Sequence, residues 1–444
     1  METKPTELML DVHKLRIGMF VYLDLGWMDH PFPLNRFKIS TNAQIEQIKG
    51  LRLKQVKVMT ALSDPASLLD EDSSLGDQPA APAVLSTEEL AAKQAAEAIQ
   101  ARRRSLAQQN ADLARCEREF STASGAWKQV AALAQQDAAK AREQSEALVK
   151  GLLDQITATR ESNIRLLSET AGDGNALHAL NVTVISLLLG RALQLDDATL
   201  NDIGLGALLH DIGKLSLPDR LRWHSDKFTA VEEKIYREHV QAGLKLGEKM
   251  GLSPGVMAVL GQHHETADGK GYPTGMSKDG MSQAARVVAL VNAYDNLCNP
   301  GNAALAATPH EALAMMFAQI KPRFDATCLT AFIRMMGVYP PGSVVQLSDE
   351  RFALVVSVNA SRPLRPKVIV HDAKVPPEDA IMVDLQTEPT LGIRRSLHPR
   401  HLTRPVLEYL SPRKRMCYFF ERTTEANGIV WVDTNNGPGS GDSE

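Results

Sequence analysis

The segment GALLHDIGK, residues 206–214, carries the pattern that decides the fold of the central part of the chain. Its apolar residues, with one leucine just before it, follow the spacing of the buried face of a helix: Leu205, Leu208, Leu209 and Ile212. The pattern places His210 and Asp211 at the inner end of a buried helix. An ionised carboxylate there is unfavourable unless a cation or strong hydrogen-bond donors compensate for it. A metal ion would supply that compensation.

Histidines are concentrated around this segment. Half of the histidines of the chain lie between positions 178 and 264: His178, His210, His224, His239, His263 and His264. A single histidine is usually an ordinary core or surface residue, but an adjacent His-Asp and an adjacent His-His together favour a metal site. Imidazole with carboxylate suits Fe, Mn, Co, Ni or Zn better than Mg or Ca, and a shared aspartate can bridge two ions. Two such ions can activate water for attack on a phosphodiester.

Two histidines are expected to lie outside that site. His224 stands in a loop with no apolar neighbours to orient it. His371 and Asp372 repeat the His-Asp pair, but they end a predicted strand and have no other histidine near them in sequence.

The segment HHETADGKGYP, residues 263–273, places two histidines and the carboxylates of Glu265 and Asp268 beside a glycine-rich turn. One interpretation is a metal site with a substrate loop. The alternative is a polar surface turn. The remaining histidines favour the first interpretation.

Composition limits the class of protein. A chain of 444 residues predicts two to four domains, and its net charge of −4 gives no reason to expect a nucleic acid polymer as partner. The four cysteines show no paired spacing, which is typical of a reducing compartment. The N-terminus resembles no signal peptide, and the longest apolar run, residues 184–195, contains Arg191. We therefore expect a cytoplasmic protein without a membrane span.

The N-terminal part predicts a small module followed by a linker. Strand-like runs at residues 15–25 and 55–59 indicate an α+β or β module over residues 1–62, a candidate sensory module. Residues 63–86 are rich in Ser, Asp, Pro and Ala, which predicts a flexible linker. The composition of residues 434–444 predicts a disordered tail.

Residues 87–150 predict a long helix with a heptad-patterned apolar stripe. Its members are Ile99, Leu106, Leu113, Phe120, Trp127, Ala134, Ala141 and Leu148. The companion heptad position is mostly polar and Gly125 weakens the middle, so a coiled coil is not established. Two alternatives remain open: a homodimer through this helix, and packing of the helix on its own domain.

Residues 151–340 read almost entirely as helices, and residues 341–433 as a small β domain of short β-branched runs. A basic run lies between the predicted strands: Arg394, Arg395, Arg400, Arg404, Arg413, Lys414 and Arg415. A solvated face is the favoured interpretation, and a surface for an anionic partner is the alternative.

Four blocks of sequence resemble the HD-GYP family, the HD phosphohydrolases that hydrolyse cyclic di-GMP. They are HALNV at residues 178–182, LLHDIGKLSLPD at 208–219, KFTAVEEKIYREHVQAG at 227–243 and HHETADGKGYPTG at 263–275. They occur in the family's order over the central part of the chain. The resemblance implies a multidomain protein, mainly α-helical, in which 151–340 form an HD-type helical bundle with catalytic activity.

The resemblance also implies the roles of individual residues. The implied metal ligands are His178, His210, Asp211, His239, His263, His264 and Asn292. Asp211 and Lys214 match the family's catalytic positions, with Lys214 directed at substrate phosphate. The implied substrate loop contains Asp268, Gly269, Gly271, Tyr272 and Pro273.

Three departures from the family pattern bear on this site. Gly174 stands where some members have a glutamate that helps to hold a third metal, so two metals are expected. Asn292 replaces the usual aspartate ligand, and an uncharged amide predicts weaker binding of one ion; Asp295, one helical turn on, would reach the site through water. CNPGNAAL, residues 298–305, replaces the family's Arg-Pro-Tyr-Arg segment.

The implied function is hydrolysis of cyclic di-GMP to pGpG and/or GMP with water activated by two divalent transition-metal ions. Two alternatives remain. The first is a catalytically weak HD-GYP protein that binds or scaffolds in cyclic di-GMP signalling. The second is a generic HD enzyme acting on another phosphate ester, against which the Gly-Tyr-Pro block argues. The family also implies a GGDEF-domain protein as a partner of the Gly-Tyr-Pro loop.

Overall fold

The computed structural model describes residues 7–25, 30–32, 34–51, 53–68, 87–158, 162–168, 174–359 and 362–422. Most of the predicted linker, a predicted strand at 428–433 and the predicted tail at 434–444 lie outside the described residues. The chain divides into two units, residues 1–108 and 109–444. None of the described helices is both long enough and apolar enough to cross a membrane.

The described residues between 7 and 68, in the first unit, form an antiparallel sheet and a short α-helix. Its described strands have the order β1-β4-β2-β3: β1 Glu7–Asp11, β2 Phe20–Tyr22, β3 Arg36–Lys38 and β4 Gln55–Met59. Helix α1, Asn42–Gly50, begins with a capping box in which Thr41 and Gln44 satisfy each other's backbone N–H. Ile48 from the helix and Val21 and Val58 from the sheet are fully buried. The predicted N-terminal strand module is confirmed.

The predicted long helix is interrupted. Helix α2 spans Thr87–Leu133 and helix α3 spans Ala138–Thr157. The break follows from Asp137, whose carboxylate accepts a hydrogen bond from Lys140 N and caps α3. Gly125, expected to weaken the helix, lies within α2. The single helix predicted over 87–150 is therefore wrong in its continuity and in its end.

The heptad stripe packs within the second unit. Phe120, Trp127, Ala134 and Ala141 are buried in its main hydrophobic core, and Leu113 and Leu148 pack against that core. Of the two alternatives for the stripe, the structure supports packing on the protein's own domain over residues 113–148.

The helical part of the second unit places the histidines. Its longer helices are α4 Gly174–Ala192, α5 Asp197–Leu209, α6 Ala230–Arg237, α7 His239–Met250, α8 Pro254–Gln262, α9 Gln283–Cys298, α10 Pro309–Ala318 and α11 Ala326–Met336. Helix α5 is continuously buried from Ile203 to Leu209, as its apolar pattern predicts. A Cβ on Gly206 would lie 2.5 Å from the Val259 side chain, so glycine lets α8 approach α5 closely. A Cβ on Gly213 would lie 2.0 Å from His239 O, which brings the start of α7 against the residues that follow α5.

A second antiparallel sheet carries the order β10-β6-β7-β5-β11 among the described residues, with β8 paired to β7 and β9 paired to β8. Its strands are β5 Ser162–Leu166, β6 Val344–Leu347, β7 Phe352–Asn359, β8 Lys367–Val370, β9 Met382–Asp384, β10 Ile393–Leu397 and β11 Tyr418–Arg422. A short helix, α12, spans Arg404–Leu410. The C-terminal sheet is confirmed, but it includes β5, from a region predicted to be helical. Residues 163–166 are buried in succession, so β5 lacks the alternation by which a half-exposed strand is recognised.

Part of the basic run has partners on the protein itself. Arg394 pairs with Glu350, Arg404 pairs with Glu408, and Arg395 donates to the side-chain oxygen of Gln346. These contacts agree with the favoured interpretation of a solvated polar face.

Candidate metal centre

Six predicted ligands from four separate segments meet around Asp211. Two groups of side chains each bring their possible donor atoms within 4.8 Å of one another. The first half consists of His178, His210 and Asp211, and the second half consists of Asp211, His239, His263 and His264. The carboxylate of Asp211 is common to both halves and therefore stands where it could bridge two ions.

In the first half, His178 comes from α4 and His210 caps the end of α5. Asp211 Oδ2 lies 3.5 Å from His178 Nε2 and 3.3 Å from His210 Nε2. The two imidazole Nε2 atoms are 3.2 Å apart. Three donor atoms thus converge on one point.

In the second half, His239 begins α7, and His263 and His264 follow α8. Asp211 Oδ1 lies 3.6 Å from His239 Nε2 and 3.8 Å from His263 Nε2. Asp211 Oδ1 and His264 Nε2 are buried and have no hydrogen-bond partner among the described residues. Buried polar atoms normally have a partner, so these two atoms fit a bound cation.

Backbone carbonyls orient three of the imidazoles. The Nδ1 atoms of His210, His239 and His263 lie 2.7, 2.6 and 2.9 Å from the carbonyl oxygens of Ala207, Tyr236 and Leu260. Each carbonyl belongs to the residue three positions earlier. A carbonyl oxygen can only accept, so Nδ1 carries a proton and Nε2 is the ring atom that faces Asp211. This tautomer is the one that metal-binding histidines usually adopt.

His178 is oriented differently, by a carboxylate. Its Nδ1 lies 2.6 Å from Oδ2 of Asp295, a fully buried residue of α9. The expectation that Asp295 reaches the site through water is wrong, since it contacts a predicted ligand directly. Sequence reasoning missed this role because the two residues are far apart in the chain and neither segment reveals the pairing.

Charge differs between the halves. Burial lowers the pKa of His239 to about 4, and burial holds the pKa values of His263 and His264 well below the usual range. Burial also acts to lower the pKa of His178, but hydrogen bonds to Asp211 and Asp295 outweigh it and raise the pKa to about 9. The second half is therefore a set of neutral imidazoles, whereas His178 holds a proton when no metal is bound.

Lys214 lies against the shared carboxylate. Its Nζ is 2.6 Å from Asp211 Oδ2 and 5.2 Å from the centre of the Tyr236 ring. Burial of Asp211 acts to raise the pKa of its carboxyl, but Lys214 and His210 outweigh that effect and hold it well below its usual range. Asp211 is therefore ionised, and Lys214 is a cation positioned beside the reacting centre.

Asn292 is buried on α9, one turn before Asp295. Its amide oxygen accepts a hydrogen bond from Asn296 Nδ2 at 2.7 Å. The oxygen that would act as ligand is thus engaged with a neighbouring amide. Its role as a metal ligand stays a prediction.

The loop after α8 places Tyr272 against the second half. The Tyr272 ring stacks on His264 with centroids 4.5 Å apart. The guanidinium carbon of Arg237 lies 4.6 Å from the centre of the same tyrosine ring. A Cβ on Gly271 would lie 2.4 Å from Glu265 Cα, so glycine is needed for the loop to fold back on itself. Gly269 adopts a left-handed conformation with φ of +72°. The Tyr272–Pro273 peptide bond is cis.

The two carboxylates of this stretch hold the loop rather than the metal cluster. Glu265 is buried and accepts hydrogen bonds from Thr274 N, Thr274 Oγ1 and Met276 N. Asp268 accepts from Thr266 Oγ1 at 2.6 Å and from Lys270 N at 3.2 Å. Sequence reasoning counted both as metal-competent, and neither belongs to the two ligand groups.

A small pocket with a cavity volume of about 30 Å³ borders the first half. Its walls include His178, Asp211 and Lys214, and also Trp127, Arg222 and Trp223. Trp127 is fixed in place by a hydrogen bond from its indole N–H to Leu208 O. The cavity thus combines metal ligands, two cations and two aromatic surfaces.

The two histidines expected outside the site lie outside it. His224 Nε2 is 3.2 Å from Glu233 on an exposed surface, and His371 packs edge-on against Tyr409. Neither belongs to the ligand groups found among the described residues.

Family models match three parts of the chain. Residues 151–328 match an HD domain, residues 8–166 match a domain of unknown function (DUF3391), and residues 344–404 match a KOW domain associated with HD domains.

Three curated proteins resemble the chain. Cyclic di-GMP phosphodiesterase PA4108 of Pseudomonas aeruginosa is 29% identical over 372 residues, which is 81% of this chain and 84% of that protein. The cyclic di-GMP phosphodiesterase response regulator RpfG of Xanthomonas campestris is 27% identical over 45% of this chain and 55% of its own length. The 3'3'-cGAMP-specific phosphodiesterase 3 of Vibrio cholerae is 28% identical over 37% of this chain and 35% of its own length. The chain spans most of the first protein and about half or less of the other two.

The matched HD domain contains the His210-Asp211 pair, the other clustered histidines and the Gly-Tyr-Pro loop at residues 271–273. Residues 151–328 accordingly form an HD domain that carries the motifs of the HD-GYP family.

Proposed function

We propose that this protein is a cytoplasmic, metal-dependent phosphodiesterase that hydrolyses cyclic di-GMP to pGpG and/or GMP at a binuclear site. The observation that carries the proposal is the pair of ligand groups that share Asp211. The similar proteins of Pseudomonas and Xanthomonas are named cyclic di-GMP phosphodiesterases, which supports cyclic di-GMP as the proposed substrate.

The residues present fit two divalent transition-metal ions, with Fe, Mn, Co, Ni and Zn as candidates. His178, His210, Asp211 and Asn292 would hold one ion, and Asp211, His239, His263 and His264 the other. Bound ions of this kind lower the pKa of water and neutralise charge on phosphate oxygens.

The protein's own groups would then position the dinucleotide. Lys214 and Arg222 line the cavity and would attract the phosphates, with Lys214 stabilising charge that develops on the non-bridging oxygens. The exposed ring of Trp223 offers an aromatic face for stacking of a base. Asp268, Gly269, Gly271, Tyr272 and Pro273 would form the loop beside the nucleotide, next to the second half.

The test is a product assay on metal-depleted protein reloaded separately with each of the five metals. Cyclic di-GMP should disappear, and pGpG or GMP should accumulate, with at least one metal. Lys214→Ala should slow the reaction by about 10²-fold or more, the scale for losing one preorganised charge. An exposed lysine outside the site, Lys374, provides the matched control. Protein that contains two metal ions but leaves cyclic di-GMP intact for hours would contradict the substrate assignment.

Asn292 favours a second candidate, a catalytically weak protein that binds or scaffolds in cyclic di-GMP signalling. Asn292→Asp distinguishes the two functions. A gain of activity of 10-fold or more would support a degenerate site, because a charged ligand would strengthen the first half. Activity unchanged by the substitution would support an enzyme that is already competent.

A GGDEF-domain protein is the proposed partner of the Gly-Tyr-Pro loop. Tyr272→Ala should reduce its capture in a pull-down while leaving the protein folded. Tyr339→Ala, which removes a tyrosine stacked on His310 away from the metal ligands, is the control. Equal capture by wild type and Tyr272→Ala would exclude the loop as the contact.

A further inference from the structure

The carboxylate that orients His178 is itself held by two asparagine side chains. Asn181 Nδ2 donates to Asp295 Oδ1 at 2.7 Å, and Asn299 Nδ2 donates to the same oxygen at 2.9 Å. The other oxygen of Asp295 faces His178 Nδ1 at 2.6 Å. Both oxygens of this fully buried carboxylate therefore have direct partners, and its orientation is determined by them.

The same two asparagines bind the backbone near the C-terminal end of the described chain. Asn181 donates to Met416 O at 2.8 Å and accepts from Tyr418 N at 2.9 Å. Asn299 donates to Met416 O at 2.9 Å and accepts from Met416 N at 2.7 Å. Each amide thus bridges Asp295 and the segment Met416–Tyr418, which lies more than 100 residues away from either amide in sequence.

The segment Met416–Tyr418 is fixed from its other side by the second sheet. Cys417 O accepts a hydrogen bond from Leu167 N at 2.9 Å, and Tyr418 begins β11, which pairs with β5. The Tyr418 hydroxyl donates to Pro341 O at 3.2 Å. The three residues are buried, so the asparagines bind a backbone that has little freedom to move.

We infer that the segment Met416–Tyr418, acting through the positioning residues Asn181 and Asn299, holds Asp295 and thereby His178 in the orientation that the first metal requires. The inference rests on the proposed function in taking the cluster as a metal centre. Partners of this kind orient metal-binding histidines, and their loss commonly costs 10-fold to 100-fold in metal affinity. The C-terminal sheet is thereby assigned a role at the site.

The second half does not use this device in the part of the chain that the structure describes. His239 and His263 take their orientation from carbonyls of their own helical turns. Loss of either asparagine should therefore weaken one metal ion and spare the other. A general loss of stability would weaken both ions, which makes the selective effect the signature of positioning.

The experiment titrates the full-length, metal-depleted protein with Mn²⁺ and resolves the two binding steps by calorimetry. In Asn299→Ala, we expect the weaker step to lose about 10-fold in affinity and the stronger step to stay unchanged. Asn181→Asp keeps the acceptor for Tyr418 N but turns a carboxylate oxygen towards Asp295, so the loss should be larger. Gln346→Ala is the matched control, because it removes hydrogen bonds within the same sheet without touching Asp295.

A second measurement needs no metal. The proton between His178 Nδ1 and Asp295 should give a low-field proton resonance in the metal-free protein, because the contact is short. Its position should shift in Asn299→Ala and Asn181→Asp and stay in place in Gln346→Ala. If Asn299→Ala fails to fold, the Mn²⁺ titration and the proton resonance of Asn181→Asp test the inference instead.

The inference is overturned if a folded asparagine variant keeps both Mn²⁺ affinities and the resonance of the wild type. It is also overturned if the two affinities fall equally. Failure of the proposed function can be distinguished from failure of this inference. In that case the wild-type protein itself would bind no metal, or would bind two ions without hydrolysing cyclic di-GMP.

Discussion

The two halves of the cluster use the same residue types and reach a metal-ready state by different routes. In the second half, burial keeps the imidazoles neutral and carbonyls of the preceding helical turn orient them. In the first half, the buried carboxylate of Asp295 orients His178, and hydrogen bonds to Asp211 and Asp295 keep it protonated until a metal binds. The comparison teaches that a histidine motif specifies which side chains meet, whereas their charge before metal binding also depends on burial and on residues outside the motif, such as Asp295.

The largest effect should come from Asp211→Asn, because this residue is common to both halves. The amide cannot neutralise two cations, and Lys214 loses its partner. Both metal equivalents should be lost, and hydrolysis should fall by more than about 10³-fold. Elemental analysis and the product assay measure these losses. Asp372→Asn, in the other His-Asp pair, is the control and should change neither. Retention of one full equivalent would mean that the halves do not depend on a common carboxylate.

Single histidine substitutions should separate the halves. His178→Ala should remove the ion of the first half and keep the other, and His264→Ala should do the reverse. Each should reduce hydrolysis by roughly 10²-fold or more, since in-line displacement uses both ions. Titration with Mn²⁺ counts the remaining sites. His371→Ala is the matched control. Loss of both ions in either single variant would contradict the claim that the two halves bind their ions separately.

The free energy of unfolding of the metal-free protein should depend on pH in opposite ways through His178 and His239. The pKa of His178 is raised from 6.5 to about 9, so its contribution to stability is complete below pH 6.5 and is lost as pH rises through 9. The pKa of His239 is lowered from 6.5 to about 4, so its contribution is complete above pH 6.5 and is lost as pH falls through 4. Each loss is on the order of 3 kcal/mol, at about 1.4 kcal/mol per pKa unit.

Denaturant unfolding between pH 4 and pH 9.5 measures this dependence. His178→Gln should flatten the alkaline side, and His239→Gln should flatten the acid side. A wild-type free energy of unfolding that rises between pH 6.5 and pH 9 would contradict the charge assigned to His178.

The smallest effect should come from Tyr272→Ala, which removes the ring stacked on His264. Because the imidazole of His264 is held by burial as well, metal content should stay at two equivalents. The KM for cyclic di-GMP should rise by about 3-fold to 10-fold, the scale of one lost aromatic contact of about 1 kcal/mol. Tyr339→Ala is again the control. Loss of the second ion in Tyr272→Ala would show that the loop also supports metal binding.

Much of the site could be predicted from the sequence, because its histidines are followed or preceded by regular helical patterns. His210 and Asp211 at the end of α5 are the clearest example. The support of His178 could not be predicted in the same way. Asp295, Asn181 and Met416 meet only through tertiary packing, and no local spacing connects them.

The fold was predictable to a similar extent. The apolar spacing of α5 predicts a buried helix, and the β-branched runs between turn residues predict the strands β6 to β9; both appear in the structure. Strand β5 is short and buried on both faces, so its residues resemble those of a buried helix. The end of α2 could not be predicted from the apolar stripe, because the seven-residue spacing continues through Ala134 and Ala141 on either side of Asp137, the N-cap residue of α3.

The close contact of α5 with α8 has a consequence for reading relatives of this protein. Where a side chain would begin on Gly206, Val259 already occupies the space, four residues before His263. A homologue could retain every ligand and still have its histidine pairs pushed apart by a single added methyl group. Surveys that judge competence from ligand residues would count such a protein as intact, so this glycine belongs among the positions that they inspect.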